Sequence, residues 1–131
     1  MDNLTQLIIS KPNYHVFINI VDNRILMFLG KVSSEDIVTI FKFIQSKSDL
    51  IKPSFTSLLD LTHYYPLDEG VPELMKQVQE YFKTLGWGEY ARVKRSETDV
   101  KLHKDMVDGF FTSTDTANVY LNQYRIEKGI N

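Results

Sequence analysis

The chain has 131 residues, 43% of them hydrophobic and 24% charged, with a formal net charge of −2 and no cysteine. That length and balance suit a single ordinary domain with its own core, and the near-neutral charge gives little attraction for a polyanion such as nucleic acid. The missing thiols exclude disulfides, thiolate nucleophiles and zinc-thiolate sites together.

The opening run from Met1 to Ser10 lacks the basic flank and long apolar stretch of a signal peptide. No apolar run approaches the roughly 20 residues that span a bilayer, so the expectation is a soluble, cytoplasmic protein without a membrane span. Residues 1–12, to about Pro12, and 127–131, after Ile126, are the ends expected to fray. Tyr14, Val16, Ile18 and Ile20 alternate with His15, Phe17, Asn19 and Val21, and the run from Ile25 to Val32 is again apolar and β-branched. Asp22-Asn23 between them tolerates the positive φ of a type I′ turn, which predicts an antiparallel hairpin.

Ser33-Ser34-Glu35-Asp36 has capping-box spacing, and Ile37, Ile40, Phe41 and Ile44 then share one helical face, giving a first helix from about Ser34 to about Ser48. Lys52-Pro53 breaks it. Phe55 to Thr62 reads as a short central strand, apolar at Leu58, Leu59 and Leu61 and therefore covered on both sides. A second helix follows, with Pro72 near its start, a stripe of Leu74, Val78, Tyr81, Phe82 and Leu85, and Gly86 and Gly88 at its end. Glu89 to Arg95 alternates Ala91 and Val93 against Tyr90, Arg92 and Lys94, as a strand with one wetter face would. Asp99 to Phe111 is expected to be a third helix, with a very short strand near Phe111. Thr112 and Asp115 then repeat the capping-box spacing, and Ala117, Tyr120, Leu121 and Tyr124 form the stripe of a fourth helix. The fold class is α/β: an open mixed sheet of about four to five strands that starts with an antiparallel hairpin, with about four helices and right-handed parallel crossovers.

That element order, the run Ser57-Leu-Leu-Asp-Leu-Thr-His-Tyr-Tyr-Pro-Leu-Asp-Glu-Gly70 and the ending Phe111-Thr-Ser-Thr-Asp-Thr-Ala-Asn-Val-Tyr-Leu121 resemble the STAS domains, the group containing the bacterial anti-sigma-factor antagonists. Leu58-Leu59-Asp60-Leu61 looks like the family's central strand. Asp68 falls at the aspartate that opens its Asp-Ser-Ser/Thr-Gly motif. The resemblance implies a SpoIIAA-like fold, a bacterial signalling role and a protein-binding surface around this turn. It also implies, in phosphorylated members, a hydroxyl at the helix start that receives phosphate from a partner kinase. Here Asp68 is followed by Glu69, Gly70 and Val71, and Gly70 has no hydroxyl to modify. Serine phosphorylation is therefore not expected to switch this chain.

The candidate partner- or ligand-binding residues are Asp60, Thr62, His63, Tyr64, Tyr65, Asp68, Glu69 and Gly70. Asp60, at the carboxyl end of a central strand, either holds a ligand or satisfies nearby N–H groups, and the second is favoured. Asp68, Glu69 and Glu73 stabilise the positive end of the second helix, which explains them without imitation of a phosphoserine. His63, Tyr64 and Tyr65 carry apolar bodies with polar tips and suit a contact surface, although the tyrosines could equally pack over the strand ends. His15, His63 and His103 show no metal-ligand spacing, and no cofactor motif is present. Arg92, Lys94, Arg95, Lys101 and Lys104 are balanced by Glu89, Glu97, Asp99 and Asp105 as a mixed solvated face.

The sequence thus favours a non-enzymatic regulatory or scaffold module with a protein partner. The alternative is a carrier or sensor of a small apolar or lipid-like ligand held by Tyr64, Tyr65, Phe110 and Phe111. A hydrolase or isomerase using His63 with an acid ranks third. Self-association to a homodimer through a sheet edge or a helix face is left open.

Overall fold

Leu58 and Leu59 are neighbours in sequence, so in a strand they point to opposite faces, yet both are buried. Their strand must be covered on both sides, and the layers of the molecule follow from that. The computed structural model describes residues 6–93, 110–111 and 119–123. In chain order it places β1 (Gln6–Lys11), β2 (Tyr14–Asn19), β3 (Arg24–Leu29), β4 (Lys31–Val32), α1 (Ser34–Ser46), a 3₁₀ turn (Ser48–Leu50), β5 (Thr56–Asp60), β6 (Tyr65–Pro66), α2 (Gly70–Thr84), β7 (Glu89–Val93) and β8 (Phe110–Phe111). Residues 119–123 are helical.

One six-stranded sheet runs in the order β1-β2-β3-β5-β7-β8, and β4 and β6 form a separate pair. β1, β2 and β3 are antiparallel, whereas β3, β5, β7 and β8 are mutually parallel. On one face Ile25, Met27 and Leu59 share a core with Ile37, Ile40 and Ile44 of α1 and Val71, Met75, Val78 and Phe82 of α2. Phe82 packs edge-on against Phe55 and Trp87, with ring centroids 5.4 Å apart in each pair. Leu58, Ala91 and Val93 on the other face pack against Leu121 of the 119–123 helix. That helix is held by Arg24, whose Nη2 donates to Asn122 Oδ1 at 3.0 Å, and by Tyr120, whose hydroxyl donates to Glu89 Oε2 at 2.6 Å.

Local signals explain the element ends. Ser33 Oγ accepts from the Asp36 amide and Asp36 Oδ2 accepts from the Ser33 amide, so the expected capping box starts α1. Gly86, at φ 90°, ends α2, and Asn23, at φ 52°, occupies the left-handed position before β3. The hairpin connection is longer than the two residues expected, running from Ile20 to Asn23, with the Asn23 amide donating to the Ile20 carbonyl at 3.3 Å.

Four features differ from the sequence reading. Gln6–Lys11, within the segment expected to fray, is the edge strand β1, because Leu7 and Ile9 reach the helix-side core. Arg92 is fully buried on the helix side of the sheet, beside Leu59, instead of joining a solvated face. β8 pairs with the far edge of β7, so β7 is not an outer strand, and Arg92 lies between the sheet and α2, near Met75, Val78 and Gln79. The described residues contain three helices, α1, α2 and 119–123, where about four were expected. Most of the expected third helix lies outside the described residues; its last two positions, Phe110–Phe111, are strand β8, where the very short strand was expected. Among the described residues no helix is long and apolar enough to cross a membrane.

Phe82 joins α2 to the sheet through two aromatic contacts. Phe82→Ala is expected to cost about 3–5 kcal/mol, read as a lowered urea midpoint at unchanged slope.

Candidate functional site

At the end of β5 the chain leaves the sheet, and hydrogen bonds from the amides of Thr62, Tyr64, Tyr65, Leu67 and Gly70 position the segment that leads to the start of α2. Asp60 Oδ1 accepts from the Thr62 amide at 2.9 Å, a side-chain turn that redirects the chain as it exits. The Tyr64 amide donates to the Leu61 carbonyl at 3.1 Å. The Tyr65 amide donates to the Gly30 carbonyl at 3.0 Å and the Leu67 amide to the Val32 carbonyl at 2.8 Å, which lays β6 along β4. Pro66 needs no donor and fits between those two bonds.

An open groove of about 650 Å³ lies between this loop, the turn at Pro12 and Asn13, and the end of β3. Asp60, His63, Tyr64 and Tyr65 line it together with His15, Phe28 and Lys31. Tyr65 is 60% exposed and Leu67, just beyond it, 53% exposed, so two large apolar groups stand in water at the rim. The Tyr64 hydroxyl is buried, and burial raises the phenol above its ordinary pKa while the Arg92 charge behind it pulls the other way. The expectation that the tyrosines either pack or present themselves resolves residue by residue. Tyr64 is half-buried, and Tyr65 is exposed.

Thr62, Asp68, Glu69 and Gly70 do not line the groove; the last three make the start of α2. Asp68 Oδ2 accepts from the Ser34 amide at 2.9 Å, while Oδ1 accepts from the Gly70 amide at 2.9 Å and from the Ser34 hydroxyl. The Ser34 hydroxyl first and the Ser34 amide next hold this carboxyl below its ordinary value; slight desolvation opposes them, and the Gly70 amide adds to them. Glu69 is the N-cap of α2 but makes no side-chain capping bond, so Asp68 supplies it from one residue earlier. A Cβ added to Gly70 would collide with the Ser34 hydroxyl. The sequence reading missed Ser34, and it missed His15 and Phe28. Ser34 follows a serine already spent as the cap of α1, and the other two reach the groove through the register of β2, β3 and β5.

The space between the sheet and the two helices is a cavity of about 30 Å³, lined by Leu59, Met75, Trp87 and Arg92 among others. It has room for about one water. Among the described residues no group of three histidine, aspartate or glutamate side chains is placed to hold a metal ion.

No protein-family model matches the chain, and no curated protein matches it. Among solved structures it is similar to an uncharacterised protein of the DUF3478 family with a SpoIIAA-like fold from Shewanella loihica PV-4. The match has a TM-score of 0.57 at 14% identity and covers 88% of this chain and 91% of that one. The fold is SpoIIAA-like, which is the STAS fold.

Asp68 provides the pH test of this geometry. Its folded-state pKa lies below the unbonded value of 3.8, so its contribution to stability is present above that value and is lost as pH falls through the folded one. Asp68→Ala should lower the urea midpoint near neutrality, and the gap to the parent should close on acidification below 3.8. A gap that persists under acid would show that the carboxylate charge is not what ties the two helices.

Proposed function

We propose that the protein is a non-enzymatic regulatory or scaffold module of the STAS type, acting in the bacterial cytoplasm, that docks a protein partner on the groove at the carboxyl ends of β3 and β5. The observation that carries this reading is the rim itself. Tyr65 and Leu67 are held by backbone bonds to Gly30, between β3 and β4, and to Val32 of β4, and still leave most of their surface in water. Exposed apolar groups on a fixed backbone suit recognition, because little conformational freedom is left to lose on binding. The proposed binding surface comprises Asp60, His63, Tyr64 and Tyr65 in the groove, with Thr62, Asp68, Glu69 and Gly70 beside it as its support.

The same geometry supports a module without a serine switch at the helix start. Position 70 carries no hydroxyl, and the room that a side chain would need there is taken by Ser34. A carrier that encloses an apolar ligand beneath the helices has less to stand on, since the cavity there is about 30 Å³.

A photo-crosslinking residue placed at Tyr65 in cells of the source organism should give a discrete protein adduct, and the same residue at exposed Lys76 on α2 should not. Equal adducts from both positions, or none from position 65, would sink the docking reading. Incubation with ATP and serine kinases should leave residues 68–71 unlabelled, and stoichiometric phosphate on Thr62 would replace the unswitched model with a switched one.

A further inference from the structure

We infer that the groove receives a cationic side chain, an arginine or lysine presented by the partner, with Asp60 as its counter-charge. The inference rests on the docking reading and adds the chemistry of what docks. Its basis is a row of residues set by strand register. His15 on β2 pairs with Phe28 on β3, and Phe28 pairs with Asp60 on β5, so the three side chains stand next to one another on one face of the sheet. Phe17, one step along β2 on the same face, meets Phe28 edge-on with centroids 5.8 Å apart and stacks beside His15 at 6.5 Å. Tyr64 and Tyr65 approach from the loop and complete the lining.

The carboxylate thus shares the groove with several aromatic rings, whose negative faces attract a cation. Asp60 is half-buried, and its Oδ1 is fixed by the Thr62 amide at 2.9 Å. A carboxylate has about four lone-pair sites, so this one bond orients the group and leaves acceptor capacity for an incoming donor. A guanidinium suits the arrangement best, since its plane stacks on rings while its edge donates to a carboxylate. Lys31 also lines the groove, but it is exposed and its flexible stem can carry the ammonium outward into water. The acid is fixed and the lysine is not, which sets the preferred sign of the guest.

The test titrates the full ¹⁵N-labelled chain with three capped tripeptides, glycine-X-glycine with X arginine, leucine or glutamate, in buffer where imidazole is neutral. The arginine peptide should shift the amides of Asp60, Thr62, His63 and Tyr65 and bind at least about fivefold tighter than the other two. Asp60→Asn, which keeps an oxygen for the Thr62 amide, should remove most of that preference while leaving the spectrum otherwise folded. Equal or tighter binding of the glutamate peptide overturns the inference, as does an arginine preference that survives Asp60→Asn. If the leucine peptide shifts the same amides as strongly as the arginine peptide, the cation preference falls and the groove keeps its docking role. No shift with any peptide also overturns the inference, while the crosslinking comparison at Tyr65 and Lys76 decides the docking reading separately.

Discussion

Both long helices begin at the same edge of the sheet, and one carboxylate holds both beginnings. This follows from the parallel run of β3 and β5, which end side by side and are followed by α1 and α2 over the same face. Two helix N-termini set together bring two partial positive charges and two sets of unbonded amides into one small space. Asp68 answers both problems at once, giving one oxygen to the amide of Ser34 and the other to the amide of Gly70. The Ser34 hydroxyl, which adds a further bond to Asp68, stands where a Cβ of residue 70 would be, and the glycine leaves it that room.

That tie fixes the far end of the loop from Leu61 to Glu69, and the Asp60 to Thr62 bond fixes the near end. Between them β6 is clipped to β4, so the loop is a short framed segment whose backbone position owes little to its side chains. Tyr65 and Leu67 are consequently free to face water without loss of order, and Tyr64 can turn inward toward Arg92. Asp68 is consumed structurally, and the acid facing the groove is Asp60. The acidic turn that dominates the sequence therefore divides into a support and a surface, with the two carboxylates on different sides of that division.

Much of this was legible because it is local. The doubly apolar run at Leu58 and Leu59, the capping box at Ser33, and the stripe of α2 closing at Gly86 each need only a few neighbouring residues to be recognised, and each is present. The segment from Asp60 to Gly70 was likewise found as one stretch, with four of its eight candidate residues in the groove. What was not legible depends on pairing across the sheet. Arg92 looked solvated because its burial depends on which face of β7 the helices cover and on β8, which closes the far edge of β7 from 17 residues or more further along the chain. His15 and Phe28 gave no sign of belonging to the site, since a slip of one residue in either pairing would have sent them to the helix side. Ser34 was hidden by its own neighbour, as Ser33 accounts for the capping signal and leaves the second hydroxyl without an evident task.

At 14% identity the similarity to the Shewanella protein conveys the arrangement of layers and nothing about what the edge of the sheet does. The layers require only that β5 be apolar on both faces and that two helices pack over one of them. The edge is decided by single side chains. A Cβ at position 70 and the Ser34 hydroxyl compete for the same volume, so a chain with this fold either carries a side chain there and turns the Ser34 hydroxyl away from Asp68, or keeps that hydroxyl bond and no side chain. Glycine makes the second choice. The neighbouring groove is the open part of this end of the sheet, and Asp60 lines it together with His15, Phe28, Tyr64 and Tyr65.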